Sequence, residues 1–235
     1  MRNTSASNGL GRIVPLVGMN EEHARIAPTS STHGGALRFR DRTYAAFLFD
    51  MDGTMLDSSS VVERTWRVWA RRQGIDPTGL LAAVKGVRSE DTIREFGPPG
   101  VDVAAETEWI LRADLSDVEG IVPIAGIHAL VESLDPNRWA IVTSASRVLA
   151  EIRLRAVSLP VPSALITAED VTEGKPSPEG FLKAAALLSV PIRECLVFED
   201  SAAGVAAAKA AGAHVAIVGT MVSPGAGTFS ILDYR

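Results

Sequence analysis

From Ala45 onward, short runs of consecutive apolar residues alternate with segments whose apolar residues recur at helical spacing. Strands that are apolar at every position are buried on both faces, which is typical of a parallel sheet covered by helices. The alternation therefore predicts an α/β fold with a Rossmann-like parallel sheet. The predicted strands are AAFLFD (45–50), WAIVT (139–143), ALIT (164–167), CLVFED (195–200) and HVAIVG (214–219). The predicted core helices are Ile127–Leu134, Arg147–Val157, Pro178–Leu188 and Ser201–Ala211.

One interval departs from this alternation. Between residues 58 and 123, apolar residues recur at helical spacing and no strand pattern is visible. The predicted helices there are Val61–Arg72, Gly79–Val84, Ser89–Phe96 and Ala104–Leu115. We interpret residues 58–123 as an inserted α-helical cap, and residues 45–57 and 124–235 as the two parts of the α/β core.

The first 44 residues differ from the rest in composition. Ser, Thr, Asn, Gly and Arg dominate, and only Gly18–Ile26 hints at a short helix. Such segments bury too little apolar surface to offset the entropy lost on ordering. Residues 1–44 are therefore predicted to form a poorly ordered tail.

Composition excludes several classes of function. The formal net charge of -5 disfavours a nucleic-acid partner, because binding a phosphate backbone requires a cationic surface. The single cysteine, Cys195, excludes a disulfide within the chain. No apolar run reaches the roughly 18 residues that a membrane span needs, and no secretory signal is visible. We expect a cytoplasmic protein with neither a nucleic acid nor a membrane as its partner.

Acidic residues follow two of the predicted strands. Asp50 and Asp52 come at the end of the first strand, and Asp200 ends the fourth. Ligands of open parallel sheets bind beyond the carboxyl ends of the strands, so these carboxylates are expected to converge and to repel one another unless a cation neutralises them. Mg²⁺ is the hard cation that prefers such oxygen ligands, and its charge would attract a phosphoryl group. Taken singly, each aspartate could instead cap a turn or a helix.

Four motifs occur in order along the chain. They are DMDGT (50–54), TSAS (143–146), GKPSPEGF (174–181) and FEDSAAGVAAAKAAG (198–212). Together they resemble the motifs of the haloacid dehalogenase superfamily, and the resemblance covers Ala45 to about Gly219. It implies that the sheet is the core of a haloacid dehalogenase-like fold and that the helical insert is its cap.

The resemblance also implies roles for the acids and the lysine. Asp50 would be the nucleophile that forms an aspartyl-phosphate, and Asp52 would protonate the leaving oxygen and later activate water. The side chains of Asp50 and Asp200, with the main-chain carbonyl of Asp52, would hold Mg²⁺. Lys175 would stabilise both the nucleophile and the transferring group. Because carbon–halogen cleavage needs no acid, Asp52 favours phosphoryl transfer.

Other residues have less definite roles. Either Thr143 or Ser144 would bind a phosphoryl oxygen, and Glu199 would either support the metal ligands or hold Lys175. In the cap, KGVRSEDTI (85–93) is similar to the loop of the glycerol-3-phosphate and 2-deoxyglucose-6-phosphate phosphatase group. Lys85 and Arg88 are the predicted substrate-binding residues of this loop, and Arg88 is preferred.

The function predicted on this basis is Mg²⁺-dependent hydrolysis of a small sugar or polyol phosphate. A β-phosphoglucomutase would use the same four motifs, but such mutases resemble KGVSRED where this chain has KGVRSED. One position on a helix turns a side chain by about 100 degrees, which favours the phosphatase. A catalytically silent domain that binds a phosphorylated metabolite would be expected to lose Asp52 or Lys175, and both are present.

Overall fold

The structure is a computed structural model that describes residues 37–235. Its centre is a six-stranded sheet in the order β10-β9-β8-β3-β6-β7, and every neighbouring pair of strands is parallel. The strands are β3 (Ala46–Phe49), β6 (Trp139–Val142), β7 (Ala164–Ile166), β8 (Cys195–Glu199), β9 (His214–Val218) and β10 (Thr228–Ile231). The predicted α/β fold with a parallel sheet is confirmed.

Helices cover both faces of this sheet. They are α5 (Ile127–Ser133), α6 (Arg147–Ala156), α7 (Glu179–Leu187) and α8 (Ala202–Ala211). Successive residues of a strand point to opposite faces, so Phe47 and Phe49 enter one apolar cluster while Ala46 and Leu48 enter the other. The uninterrupted apolar runs are therefore explained by burial on both sides.

The helical insert has an apolar core of its own. It contains α1 (Ser59–Gln73), α2 (Pro77–Ala83), α3 (Ser89–Phe96) and α4 (Val103–Ser116). Trp66, Trp69 and Ile93 are among its buried residues. The chain enters and leaves through two short antiparallel strands, β4 (Leu56–Asp57) and β5 (Val122–Pro123). This arrangement supports the proposed division into a core and a cap.

A hairpin precedes the sheet and corrects one sequence-based expectation. Strands β1 (Leu37–Phe39) and β2 (Arg42–Tyr44) pair antiparallel within the segment predicted to be a poorly ordered tail. Phe39 packs the hairpin against the sheet, because the centroid of its ring lies 5.6 Å from that of Phe198 and 5.3 Å from that of Phe229. The prediction is therefore wrong for residues 37–44, while residues 1–36, including Gly18–Ile26, lie outside the described residues.

None of the helices within residues 37–235 combines the length and the apolar character needed to cross a bilayer.

Candidate active site

The order of the strands brings three of the motifs to one edge of the sheet. Strand β3 lies between β8 and β6, so Asp50, Asp200 and Thr143, which directly follow these strands, are neighbours. All three side chains line one cavity of about 170 Å³, together with Asp52 and residues of the cap. Residues that are far apart in sequence therefore face the same space.

Lys175 reaches this edge from the loop before α7. Its Nζ donates to Asp50 Oδ1 at 2.5 Å and to Glu199 Oε1 at 2.6 Å. Burial disfavours the charged form of Lys175, but the two carboxylates outweigh this effect and raise its pKa. Lys175 is therefore a buried cation in direct contact with Asp50.

The acidic cluster fits a divalent cation. One carboxylate oxygen from each of Asp50, Glu199 and Asp200 lies within 4.8 Å of the other two. Both oxygens of Glu199 are already engaged, one by Lys175 and the other by the amide and hydroxyl of Ser201. By contrast, Asp200 Oδ1 is buried and has no hydrogen-bond partner within residues 37–235. Asp50 and Asp200 are therefore the better metal ligands, and Glu199 positions Lys175.

The pKa values at the cluster show the same need for positive charge. Burial raises the pKa of Asp50 well above its usual range; Lys175 lowers it, and Glu199 and Asp200 raise it further. Burial and then the charge of Glu199 raise the pKa of Asp200 to about 7. A bound cation would favour the ionised form of both aspartates, because opposite charge stabilises a carboxylate.

Asp52 belongs to a separate hydrogen-bonded network. Its Oδ1 accepts from the hydroxyl of Ser58 at 2.6 Å and from Nη1 of Arg153 at 2.9 Å. Arg153 also donates through Nη2 to Asp114 Oδ2 at 3.3 Å, so it connects the core loop to helix α4 of the cap. Burial raises the pKa of Asp114, and Arg153 opposes that shift. Hydrogen bonds to one oxygen thus hold the Asp52 side chain in place beside the cavity.

The geometry distinguishes Thr143 from Ser144. Thr143 Oγ1 accepts the amide of Ala145 at 3.1 Å, which leaves the hydroxyl hydrogen for a ligand as far as the described residues are concerned. Ser144 Oγ donates to the carbonyl of Gly86 in the cap loop at 2.9 Å. This arrangement favours Thr143 as the phosphoryl ligand and Ser144 as a contact between core and cap.

The two basic residues of the cap loop lie in different places. Lys85 lines the cavity, and its charge lowers the pKa of Asp200. Arg88 does not belong to the described residues that line the cavity, because its Nε pairs with Asp91 at 2.7 Å and its Nη1 donates to the carbonyl of Thr172 at 3.2 Å. Arg88 instead lines a smaller neighbouring cavity together with Thr143 and Lys175. The preference for Arg88 over Lys85 therefore stays a prediction, and the larger cavity favours Lys85.

Two glycines allow the acids to approach the backbone. Gly53 has a φ of +89°, and a Cβ there would overlap the carboxylate of Asp200. A Cβ at Gly204 would overlap the carboxylate of Glu199 in the same way. Close packing against the acids therefore requires glycine at both positions, and the positive φ at Gly53 requires it there as well.

The sequence reasoning missed Arg153 and Asp114. Arg153 lies four residues after Leu149 on the buried face of α6, and Asp114 lies four residues after Ile110 on the buried face of α4. A charged residue on the apolar face of a helix is unusual, so this spacing was the signal that could have identified them. Their partnership depends on the packing of two sequence-distant helices and has no local signal.

Comparisons with known proteins agree with this arrangement. The family model for haloacid dehalogenase-like hydrolases matches residues 44–212. Hexitol phosphatase A of Escherichia coli is 42% identical over 176 residues, covering 73% of this chain and 82% of that protein. The 2-deoxyglucose-6-phosphate phosphatase 2 of Saccharomyces cerevisiae is 34% identical over 189 residues, covering 71% of this chain and 76% of that protein.

A solved structure extends the agreement to the fold. The crystal structure of a hydrolase from Pseudomonas syringae superposes with a TM-score of 0.71 and 28% identity, covering 81% of this chain and 94% of that chain. The family match includes the ends of strands β3 and β8, which carry the acidic cluster, and the loop that carries Lys175. The chain therefore belongs to the haloacid dehalogenase-like hydrolase family.

Proposed function

We propose that this protein is a Mg²⁺-dependent phosphatase that hydrolyses the monophosphate of a small sugar or polyol through an aspartyl-phosphate on Asp50. The observation that carries the proposal is the position of Asp50. It ends the central strand, contacts the buried Lys175 ammonium and lies beside Asp200, whose Oδ1 is unpartnered among the described residues. This is the setting in which a carboxylate can attack a dianionic phosphate.

Asp50, Asp200 and the carbonyl of Asp52 would hold the magnesium ion. When bound, Mg²⁺ neutralises charge on the phosphoryl oxygens and helps to orient them. The fit rests on the unpartnered oxygen of Asp200 and on an all-oxygen donor set, which is what this hard cation prefers. Glu199 would act through Lys175, which it holds at 2.6 Å.

The chain's own side chains would divide the reaction into two steps. In the first, a carboxylate oxygen of Asp50 bonds to phosphorus while Asp52 gives a proton to the departing alcohol oxygen. Lys175 and the hydroxyl of Thr143 stabilise charge on the phosphoryl group. In the second, Asp52 takes a proton from water, which attacks phosphorus and restores the Asp50 carboxylate. Two oppositely directed proton transfers thus use the same side chain.

The cap would exclude water and hold the alcohol portion of the substrate. Val62, Trp66 and Leu81 contribute an apolar wall to the cavity opposite the strand ends. The relatives described above are named for hexitol phosphate and 2-deoxyglucose 6-phosphate chemistry. We therefore propose small, neutral, hydroxylated alcohols as leaving groups, with the cytoplasm as the expected compartment.

Removing the metal should abolish activity. Protein treated with EDTA is expected to release no phosphate from p-nitrophenyl phosphate or from a panel of hexitol, deoxyglucose and glycerol phosphates. Excess Mg²⁺ should restore release, because the cation supplies charge that Lys175 alone cannot. The measurement is free phosphate against added Mg²⁺.

Three outcomes of this assay, with glucose 1-phosphate added to the panel, would contradict the proposal. Undiminished release in EDTA would exclude the metal site. Conversion of glucose 1-phosphate-type substrates without free phosphate would identify a mutase, and binding without turnover would identify a silent domain.

Lys85 is expected to matter more than Arg88 for substrate binding. Lys85→Gln should raise KM for a dianionic substrate by about threefold to tenfold in low salt and by less in high salt, because an exposed charge attracts the substrate weakly and is screened. Arg88→Gln is the matched control, since it also removes one cationic side chain from the same loop. A larger and more salt-sensitive rise in KM for Arg88→Gln would contradict this assignment.

A further inference from the structure

Arg153 and Asp114 form a buried ion pair on the cap side of the cavity. Their side chains are 4% and 7% exposed, and both residues line the cavity. Each also has one buried polar atom without a hydrogen-bond partner within residues 37–235, namely Nε of Arg153 and Oδ1 of Asp114. The pair therefore offers one unpartnered donor and one unpartnered acceptor on two side chains that contact each other. The side chain of Thr65 also hydrogen-bonds the Asp114 carboxylate.

Buried polar atoms are rarely left unpaired, and an exception calls for a ligand or an ordered water. A donor and an acceptor on adjacent side chains are complementary to a hydroxyl group, which accepts one hydrogen bond and donates another. The neighbouring walls of the cavity are apolar and include Val62, Trp66 and Leu149. Such walls suit the carbon skeleton of a polyol, and the hydroxyl of nearby Ser58 is already bonded to Asp52.

The position of the pair relative to Asp52 identifies which part of a substrate it would meet. Arg153 Nη1 donates to Asp52 Oδ1 at 2.9 Å, and Asp52 is the residue proposed to protonate the leaving oxygen. Lys175 bonds Asp50 and Glu199, and Asp200 lies beside Asp50, so the groups proposed to bind the phosphoryl group and the metal are distinct from this network. The group that reaches Arg153 and Asp114 is therefore the alcohol and not the phosphoryl group.

The charge of the network limits the class of alcohol. Asp52 carries a proton when it serves as the acid, but Asp114 alone balances the charge of Arg153, and Glu63 adds a further carboxylate to the cavity lining. A carboxylate or a second phosphate on the leaving group would therefore meet net negative charge and be repelled. A neutral hydroxyl would meet no such barrier.

We propose that Arg153 and Asp114 form a specificity-determining subsite that recognises a hydroxyl group of a neutral, polyhydroxylated leaving alcohol. This inference rests on the proposed phosphatase function. It goes beyond that function because it names the residues that recognise the leaving alcohol and excludes anionic leaving groups.

The test compares two substrates with the same carbon skeleton, glycerol 3-phosphate and propyl phosphate. The wild-type enzyme should prefer glycerol 3-phosphate in kcat/KM by at least about tenfold and should hydrolyse phosphoglycolate poorly. Asp114→Asn should lower that preference by about tenfold, because a neutral amide binds a hydroxyl less strongly than a carboxylate does. Glu108→Gln, on the exposed face of the same helix, is the matched control and should leave the preference unchanged.

The preference separates recognition from a structural effect. Equal losses on both substrates in Asp114→Asn would overturn the inference, as would a wild-type enzyme that hydrolyses both equally, and in each case the phosphatase function would stand. Failure to hydrolyse any phosphomonoester with Mg²⁺ would overturn the proposed function and the inference with it. If Asp114→Asn melts below the assay temperature, Arg153→Lys provides the same comparison, since it keeps the charge and removes Nε.

Discussion

Asp50→Asn should lower kcat for every phosphomonoester by about ten-thousandfold or more, because an amide cannot replace the carboxylate that attacks phosphorus. The folded structure should persist. Asparagine has nearly the same shape, and Lys175 keeps its hydrogen bond to Glu199 at 2.6 Å. Steady-state phosphate release and a thermal melt of the same preparation provide the measurement.

Asp57→Asn is the matched control for this substitution. Asp57 is exposed, ends the short strand β4 and accepts a hydrogen bond from the amide of Ser59 at 2.9 Å, which an asparagine oxygen can also accept. It should retain wild-type activity. Activity of Asp50→Asn above a few per cent of wild type, with contaminating phosphatase excluded, would contradict the assignment of the nucleophile.

Asp52→Asn is expected to show the second largest effect and a distinctive time course. Turnover of an alkyl phosphate such as glycerol 3-phosphate should fall by about a hundredfold to ten-thousandfold, because an alkoxide leaves slowly without a proton donor. Nitrophenolate leaves without a proton, so p-nitrophenyl phosphate should still phosphorylate Asp50. The second step lacks its base, and we expect a burst of about one nitrophenolate per enzyme followed by slow release.

The burst distinguishes proton transfer from a structural role. Ser58 and Arg153 can still donate to the amide oxygen of an asparagine, so their contacts with this position are preserved. Equal losses on both substrates without a burst would indicate that Asp52 maintains the shape of the loop. Unchanged turnover would remove it from the mechanism.

The parallel sheet could be predicted because its signal is local. In β3, Phe47 and Phe49 face one apolar cluster and Ala46 and Leu48 face the other, so the strand reads as an unbroken apolar run. The ends of such strands must meet at one edge, which is why the convergence of Asp50 with Asp200 could also be anticipated.

The hairpin at residues 37–44 could not be predicted in the same way. Each of its strands has three residues, too few for a periodic pattern to emerge. It is held by contacts of Phe39 with Phe198 and Phe229, which are close only after folding. Segments stabilised mainly by distant partners lack a local signal.

The contacts of the charged residues on the cap side of the cavity also could not be predicted, because they depend on tertiary structure. A basic residue after a glycine suggested substrate binding by Arg88, but the sequence did not show that Arg88 pairs with Asp91 and lines a smaller cavity than Lys85 does. The pairing of Arg153 with Asp114 could not be predicted, because the two residues lie on different helices and meet only where α6 packs against α4. The chemistry of the strand ends was readable from the sequence, whereas that of the substrate pocket was not.

The most direct test is to locate the phosphoryl group during turnover. Asp52→Asn is mixed with p-nitrophenyl phosphate and Mg²⁺, quenched in acid within the burst and treated with borohydride, which reduces an aspartyl-phosphate to homoserine. Peptide mass spectrometry should then find homoserine at position 50. A nitrophenolate burst with aspartate intact at position 50, or with the phosphoryl group on another residue, would contradict the account.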